Sequence, residues 1–421
     1  SRQVFFRRGI AALVLAVILT GLVGLAGYAK TELTFWSWRP EDIESYAKFI
    51  KTFEAKNPEI AIKFIPFKNT EYNTILATAL QGGSGPDLVQ LRAYGGIEAL
   101  TSAGYIMPLD TKSVPALQKF PKDVLRVSLN RKDNKIYGVP FATQTIQVLY
   151  NKAVFNKYGL KEPATWDEFI KLCETLKDKG IIPLANGAKD GWTLETLFGG
   201  VAPNFYGDNK FFAEVTTGKT TFNDPRFVGA LRKMLELRPY LAPGFVGVGY
   251  TDMQALFSQE VAAMLVGGSY ELGVMAQLSP NLKIGAFAVP GLKKNQGGFI
   301  SYYLDGSYGI NNASPNKKEA LKFINFVASK EYGQMFTSEL KQMSAVPGVV
   351  PTDPVLIELC EMMAKKSTPF LLLVAFRFEQ PNGSTMLQND LQAMFADKLT
   401  PGQVAADIQA GLAKWYKPFQ K

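Results

Sequence analysis

The chain has 421 residues, 47% hydrophobic and 20% charged, which excludes a disordered chain and is too long for one compact core, so two domains are expected. The formal net charge is +9, mild and spread along the chain, with no basic block of the kind a nucleic-acid surface needs. Histidine is absent, which removes His-based acid–base chemistry, His-containing triads and His-ligated metal sites together.

Residues 1–29 read as a secretory signal. Arg2, Arg7 and Arg8 give a positive start, Gly9 to Ala26 is apolar, and Gly27-Tyr28-Ala29 supplies small residues before a cut after Ala29. The apolar run is also long enough to span a bilayer, so an uncleaved anchor is the competing reading. No Cys stands near its end to carry a lipid.

Glu32 to Trp36 reads as the first strand of the mature protein, and Ser37 to Asp42 as its loop. Ile43 to Lys56 has helical apolar spacing and stops at Asn57-Pro58; Ile60 to Phe67 alternates as a strand. Strand, helix, strand opens an α/β sheet, whose ligands sit beyond the carboxyl ends of the strands. Trp36, Ser37, Trp38 and Arg39 occupy that place, read either as core packing or as a ligand site. Asn69 to Leu80 is a helix capped by Asn69 or Thr70. The turn Gln81 to Pro86 is Gly-rich, but no GK[ST] or GxGxxG accompanies it, so a phosphate loop is disfavoured. Asp87 to Leu91 is a short buried strand ending at Arg92, and Ile97 to Ala103 a helix.

Tyr137 to Lys152 opens on a Gly/Pro turn and becomes a β-branched, aromatic strand, either an ordinary core strand or a connector between two lobes. Further on, Trp166 to Lys179 is an amphipathic helix with Thr165 at its cap and Gly180 at its stop. Ile181 to Leu184 is a strand, Met253 to Val261 a helix, Ala262 to Val266 a buried strand, and Val404 to Tyr416 an outer helix. Phe35, Phe49, Phe53, Phe169, Phe323 and Phe326 are read as core. Cys173 and Cys360 sit in helical patterns; free buried thiols and a pair closing a long loop are both open. No CxxC or metal spacing exists, and neither a cofactor nor a metal is expected.

The order FWSW, GGSGPDLVQL, AGYIMPLD, YGVPFATQTIQVLYNKAVFNKYGL and PATWDEFIKLCETLKDKG, continued by SYGINNASPNKKEALKFINFV, resembles the extracellular solute-binding proteins of ABC importers, the group that includes maltose-binding proteins. The resemblance covers essentially all of the mature chain. It implies an α/β, two-lobe periplasmic-binding-protein-like fold whose discontinuous lobes are joined by crossing strands. The N-terminal lobe would take residues 30–143 and 306–348, the C-terminal lobe 144–305 and 349–421, with crossings near 142 to 150, 299 to 306 and 345 to 352. It also implies a monomeric periplasmic carrier that closes on a sugar, expected to be an oligosaccharide, and delivers it to a membrane permease, with no bond made or broken.

A pyranose offers an apolar face for an aromatic ring and a rim of hydroxyls for charged or amide groups. Carried over by position, Trp36 and Trp38 would stack, with Ser37 and Arg39 polar beside them. Arg92, Tyr94 and Gln144 follow from the N-terminal lobe and its crossing. Asn186, Trp192, Tyr270, Asp305, Arg377 and Phe378 come from the rest of the chain. Tyr270 stands where the family commonly has Trp. The competing readings are a secreted glycosidase, which needs a positioned carboxylate pair, a membrane-associated sensor, and a carrier of a non-sugar such as a polyol phosphate, for which Arg39, Arg92 and Arg377 would have to converge.

Overall fold

The computed structural model describes residues 30–420; the signal-peptide reading falls outside them. The first strand, β1 (Thr31–Ser37), obeys the period of two: Leu33, Phe35 and Ser37 point inward and are buried, while Thr34 and Trp36 on the other face are half-buried. The strands that follow are β2 (Ile60–Pro66), β3 (Leu88–Leu91), β4 (Val139–Pro140), β5 (Ala142–Asn151), β6 (Ile182–Leu184), β7 (Ala262–Gly268), β8 (Ile284–Phe287), β9 (Ile300–Leu304), β10 (Ser307–Ile310), β11 (Met343–Ser344) and β12 (Ser367–Pro369). They form two sheets, one per lobe. The first runs β2-β1-β3-β10-β4, and the second β12-β9-β5-β7-β6 with β8 and β11 also on β5.

The β1 to β3 ladders are parallel, with helices Ile43–Lys56 and Asn69–Gln81 as crossovers; β10 runs antiparallel to β3. The chain leaves the first sheet at Pro140 and enters the second at Ala142, then returns between Leu304 and Ser307. A third passage follows helix Lys330–Leu340, where Met343 and Ser344 pair with Thr143 and Ala142 of β5. The Tyr137 to Lys152 stretch is therefore a connector. Its strand, β5, ends on Asn151, whose side chain caps helix Lys152–Tyr158 by accepting from the N–H groups of Ala153 and Val154.

The first core is aromatic. Phe35 is fully buried with the rings of Tyr46, Phe64, Tyr308 and Phe323 around it at 5.4 to 5.7 Å, mostly edge-on. Phe326 differs from expectation: it is half-buried at the rim of that core. The second core gathers helices Trp166–Asp178, Gly191–Val201, Pro225–Glu236 and Gly383–Phe395 around β5 and β7. Thr165 caps the first of these through the Glu168 N–H, as the sequence predicts. Both cysteines are free thiols: Cys173 is fully buried and Cys360 half-buried in a separate cluster. Among the described residues no helix is long and apolar enough to cross a membrane, and no cluster of His, Cys, Asp or Glu could hold a metal.

Truncating Phe35 leaves a cavity that four rings cannot all collapse into. Phe35→Ala is expected to cost about 3–5 kcal/mol, read as a lowered urea midpoint for the first lobe.

Candidate functional site

A cavity of about 280 Å³ opens between the two sheets. From the first lobe, the loop after β1 supplies Trp38, Arg39 and Glu41, helix Asn69–Gln81 supplies Asn69, Thr70 and Asn73, and the loop after β3 supplies Arg92. From the second lobe come Trp192, Glu195 and Thr196 on one face of helix Gly191–Val201, Tyr250, and Tyr270 just after β7. Ala93 after β3, Tyr303 of β9, Asp305 on the return crossing, Phe370, Leu373, Arg377 and Gln388 complete the wall.

Ser37 ends β1 on its inward face, donates to Gln90 Oε1 at 2.7 Å and accepts the Arg39 N–H at 3.0 Å. This fixes the turn that presents Arg39. The Arg39 guanidinium forks onto Asp42 at 2.6 and 3.1 Å and reaches Glu41 at 3.4 Å. Burial alone would lower its pKa; Asp42 and Glu41 outweigh that and raise it well above the ordinary value. Its charge also lies 5.8 Å from the ring of Tyr270, across the cleft.

Arg92 lies 4.1 Å over the Trp38 ring and is held by Asn73 Oδ1 at 2.8 Å and Asn69 Oδ1 at 2.7 Å. Burial, and then the neighbouring Arg377 charge, push its pKa down to about 10. Asn69 and Thr70 thus differ from the sequence reading: Lys68 is the N-cap, without a side-chain bond, and both residues line the cavity. Arg377 is lowered chiefly by burial, and its Nε has no partner among the described residues.

The carboxylates move the other way. Glu195 is raised by burial, although Ser384 and Gln388 donate to it at 2.7 and 2.6 Å. Asp305 is pushed up to about 6 by burial, against the pull of Arg39, Gln144 and Arg92. Behind the wall, Glu271 accepts from Gln254 at 3.0 Å and is pushed up to about 7, again by burial first.

Seven of the residues singled out in the sequence line the cavity: Trp38, Arg39, Arg92, Trp192, Tyr270, Asp305 and Arg377. Six others do not reach it. Trp36 packs edge-on against Phe67 at 4.7 Å, because the alternation of β1 aims it away from the Ser37 side. Ser37 is buried beneath Arg39. The Tyr94 hydroxyl accepts the Leu304 N–H at 3.2 Å. Gln144 is fully buried among polar side chains. Asn186 brackets the Val266 peptide at 2.8 and 2.9 Å. Phe378 lies under the Arg131 guanidinium at 3.4 Å.

Sequence reasoning passed over Glu41, Asn69, Asn73, Glu195, Thr196, Tyr250, Tyr303 and Gln388. For some of these a signal existed: Asn69 and Asn73 are four apart, and Trp192, Glu195 and Thr196 are spaced to share one helix face. Tyr250 was hidden because its helix begins earlier than expected, at Tyr250 and not Met253, where Asp252 accepts the Gly249 N–H.

Glu271 is a stability liability at alkaline pH. Its folded pKa is raised, so the folded state holds a proton that the unfolded state releases, and stability is gained as pH falls through about 7 toward the unfolded value near 4.5. Glu271→Gln is therefore expected to raise the melting temperature at pH 8 and to change it little at pH 4.5, read by scanning calorimetry at both.

The family profile described as bacterial extracellular solute-binding protein matches residues 38–334. The chain is 27% identical over 349 residues to the multiple sugar-binding protein of Streptococcus mutans serotype c, covering 81% of each chain. Two solved structures share the fold. One, from work on xylan utilization by the thermophilic bacterium Caldanaerobius polysaccharolyticus, has a TM-score of 0.79 at 23% identity, covering 90% of this chain and 99% of that one. The other, a chitin oligosaccharide binding protein, has a TM-score of 0.78 at 24% identity, covering 92% and 99%. With the profile spanning well over half of its length, this chain belongs to the bacterial extracellular solute-binding proteins.

Proposed function

We propose that this protein captures a carbohydrate between its lobes and delivers it to the membrane permease of an ABC importer from the periplasmic side. One observation carries the reading: the cavity sets the rings of Trp38, Trp192, Tyr250 and Tyr270 beside amide and charged side chains contributed by both sheets. Aromatic rings cover the apolar face of a pyranose, and charge-assisted bonds take its hydroxyls. The sugar-binding name of the Streptococcus mutans relative supports the same ligand class.

Charge favours a neutral sugar over a phosphorylated polyol. Arg39, Arg92 and Arg377 are matched in the wall by Glu41, Glu195 and Asp305. Arg39 is already forked onto Asp42, so the three arginines do not converge as free cations. Because both lobes contribute to the wall, a ligand touching both binds the closed form better than the open one, and that difference drives closure. The protein acts as a carrier and changes no bond in its ligand.

A thermal-shift screen of the purified protein against lactose, raffinose, maltotriose, xylobiose, chitobiose and glycerol phosphate tests this. A ligand that binds only the native state raises the melting temperature by mass action. A shift with a sugar is expected, with Kd weakened about tenfold or more in Trp38→Ala and Tyr270→Ala, since buried aromatic contacts dominate binding. A shift with glycerol phosphate alone, or release of reducing sugar on incubation, would refute the neutral-sugar carrier.

A further inference from the structure

By sequence position Gln144 reads as a ligand contact, yet its side chain is fully buried and does not line the cavity. Its Nε2 donates to Asp305 Oδ2 at 2.9 Å and to Gln342 Oε1 at 2.7 Å. Its Oε1 accepts from Ser269 Oγ at 2.7 Å. These partners come from different passages of the chain. Gln144 stands at the start of β5 on the first crossing, and Asp305 lies between β9 and β10 on the second. Gln342 immediately precedes β11 on the third, where its carbonyl is held by Thr337 of the first-lobe helix Lys330–Leu340 at 2.6 Å. Ser269 follows β7 in the second sheet, next to Tyr270 of the cavity wall.

We propose that Gln144 is a positioning residue for ligand capture: it clamps the ligand-facing Asp305 to the other two interlobe crossings, so that a ligand gripping Asp305 sets the hinge. This rests on the carbohydrate-carrier reading and adds the route by which the cavity is coupled to lobe movement. The connection is short. Asp305 lines the cavity, and its Oδ2 is the oxygen that Gln144 holds. Its backbone N–H is bound to Ala142 O at 3.0 Å, so side chain and backbone both tie the second crossing to the first. A hinge bends by changing backbone dihedrals at a few element-terminal residues, and Gly306, at a φ of 147°, supplies such a point beside Asp305.

The amide is required at 144 because the site needs a donor toward two acceptors and an acceptor toward Ser269 in one planar group. Leu would fill the space and satisfy none of these. Glu would place a carboxylate against Asp305 unless one of the two is protonated. The charged and titratable groups around Asp305 are Arg39, Arg92 and Asp42 from the first lobe, Tyr270 and Arg377 from the second, and Tyr303 on the preceding strand β9; Gln342 and Ser269 are neutral. Burial brings the Asp305 carboxyl into the range where it titrates near pH 6.

The test compares wild type, Gln144→Leu and Gln144→Glu at pH 5 and pH 8. It reads interlobe distance by a spin-label pair across the cleft, sugar affinity by calorimetry with the best binder among the five sugars above, and the Asp305 titration by carboxyl NMR. Gln144→Leu is expected to broaden the ligand-free distance distribution, raise the Asp305 midpoint by removing a donor to its carboxylate, and weaken Kd about tenfold. Gln144→Glu should match it at pH 8 and return toward wild type, compared at the same pH, at pH 5, where the two carboxyl groups share a proton and a hydrogen bond between them replaces the one the amide made. A residue that merely fills space would show no such recovery. Should Gln144→Leu not fold, the Gln144→Glu pH profile decides, and a flat one overturns the proposal. Unchanged lobe distances and an unchanged Asp305 midpoint in both variants overturn it too. If the wild type binds none of the sugars, the carbohydrate reading fails, while the ligand-free distances and the titration still decide the role of Gln144.

Discussion

A backbone that passes from one sheet to another must find partners for its peptide groups on both sides of the passage, and β5 is where this protein meets that constraint. Its first residues pair with β9 and β11, which belong to the other two passages, and its last with β7 and β8 deep in the second lobe. The three crossings are therefore not three independent linkers. They are hydrogen-bonded neighbours, so a bend at one strains the ladders it shares with the others. The cavity lies directly against that seam: Tyr303 and Asp305 are part of the crossing itself.

Holding a polar site at such a seam is costly. Asp305, Glu195, Glu41 and Glu271 are all raised by burial, and Arg92 and Arg377 lowered by it, so each charge is partly desolvated before any ligand arrives. Opposite signs offset some of the cost, as in the Arg39–Asp42 fork. The rest is met by the two cores: the ring cluster around Phe35 and the helices packed on β7 make no use of the ligand and hold the walls in place. Strain of this kind belongs where function needs preorganised donors and acceptors.

Much of this was legible in the sequence because it follows from local rules. The alternation of β2 from Ile60, the cap at Thr165 and the strand composition of Tyr137 to Lys152 were readable residue by residue, while the two-lobe fold came from the resemblance that the motif order carries. Of the cavity wall, residues after strand ends were legible when they lay in the loop itself, as Trp38, Arg39, Arg92 and Tyr270 do. Parity explains one miss: Trp36 is two residues from Trp38 and similar in composition, but it is still within the strand and points to the other face. Asn186 and Ser37 have ligand-like chemistry, and backbone or side-chain partners consume it. Which polar group is free and which is spoken for is a property of packing, which no spacing rule records.

Gln144 shows the same limit from the other side. Its position at the crossing was readable, and a polar residue there suggested a ligand contact. In the structure its donors and acceptor are all taken by the protein, with partners 125, 161 and 198 residues away in the chain. A group so committed cannot add binding energy of its own to a ligand without giving up bonds it already makes. On the proposal above, it can decide how much of the ligand's binding energy reaches the hinge, because the residue whose carboxylate it holds lines the cavity. On that proposal, recognition and closure are separated by one hydrogen bond, with the buried amide behind Asp305 linking the cavity wall to lobe geometry.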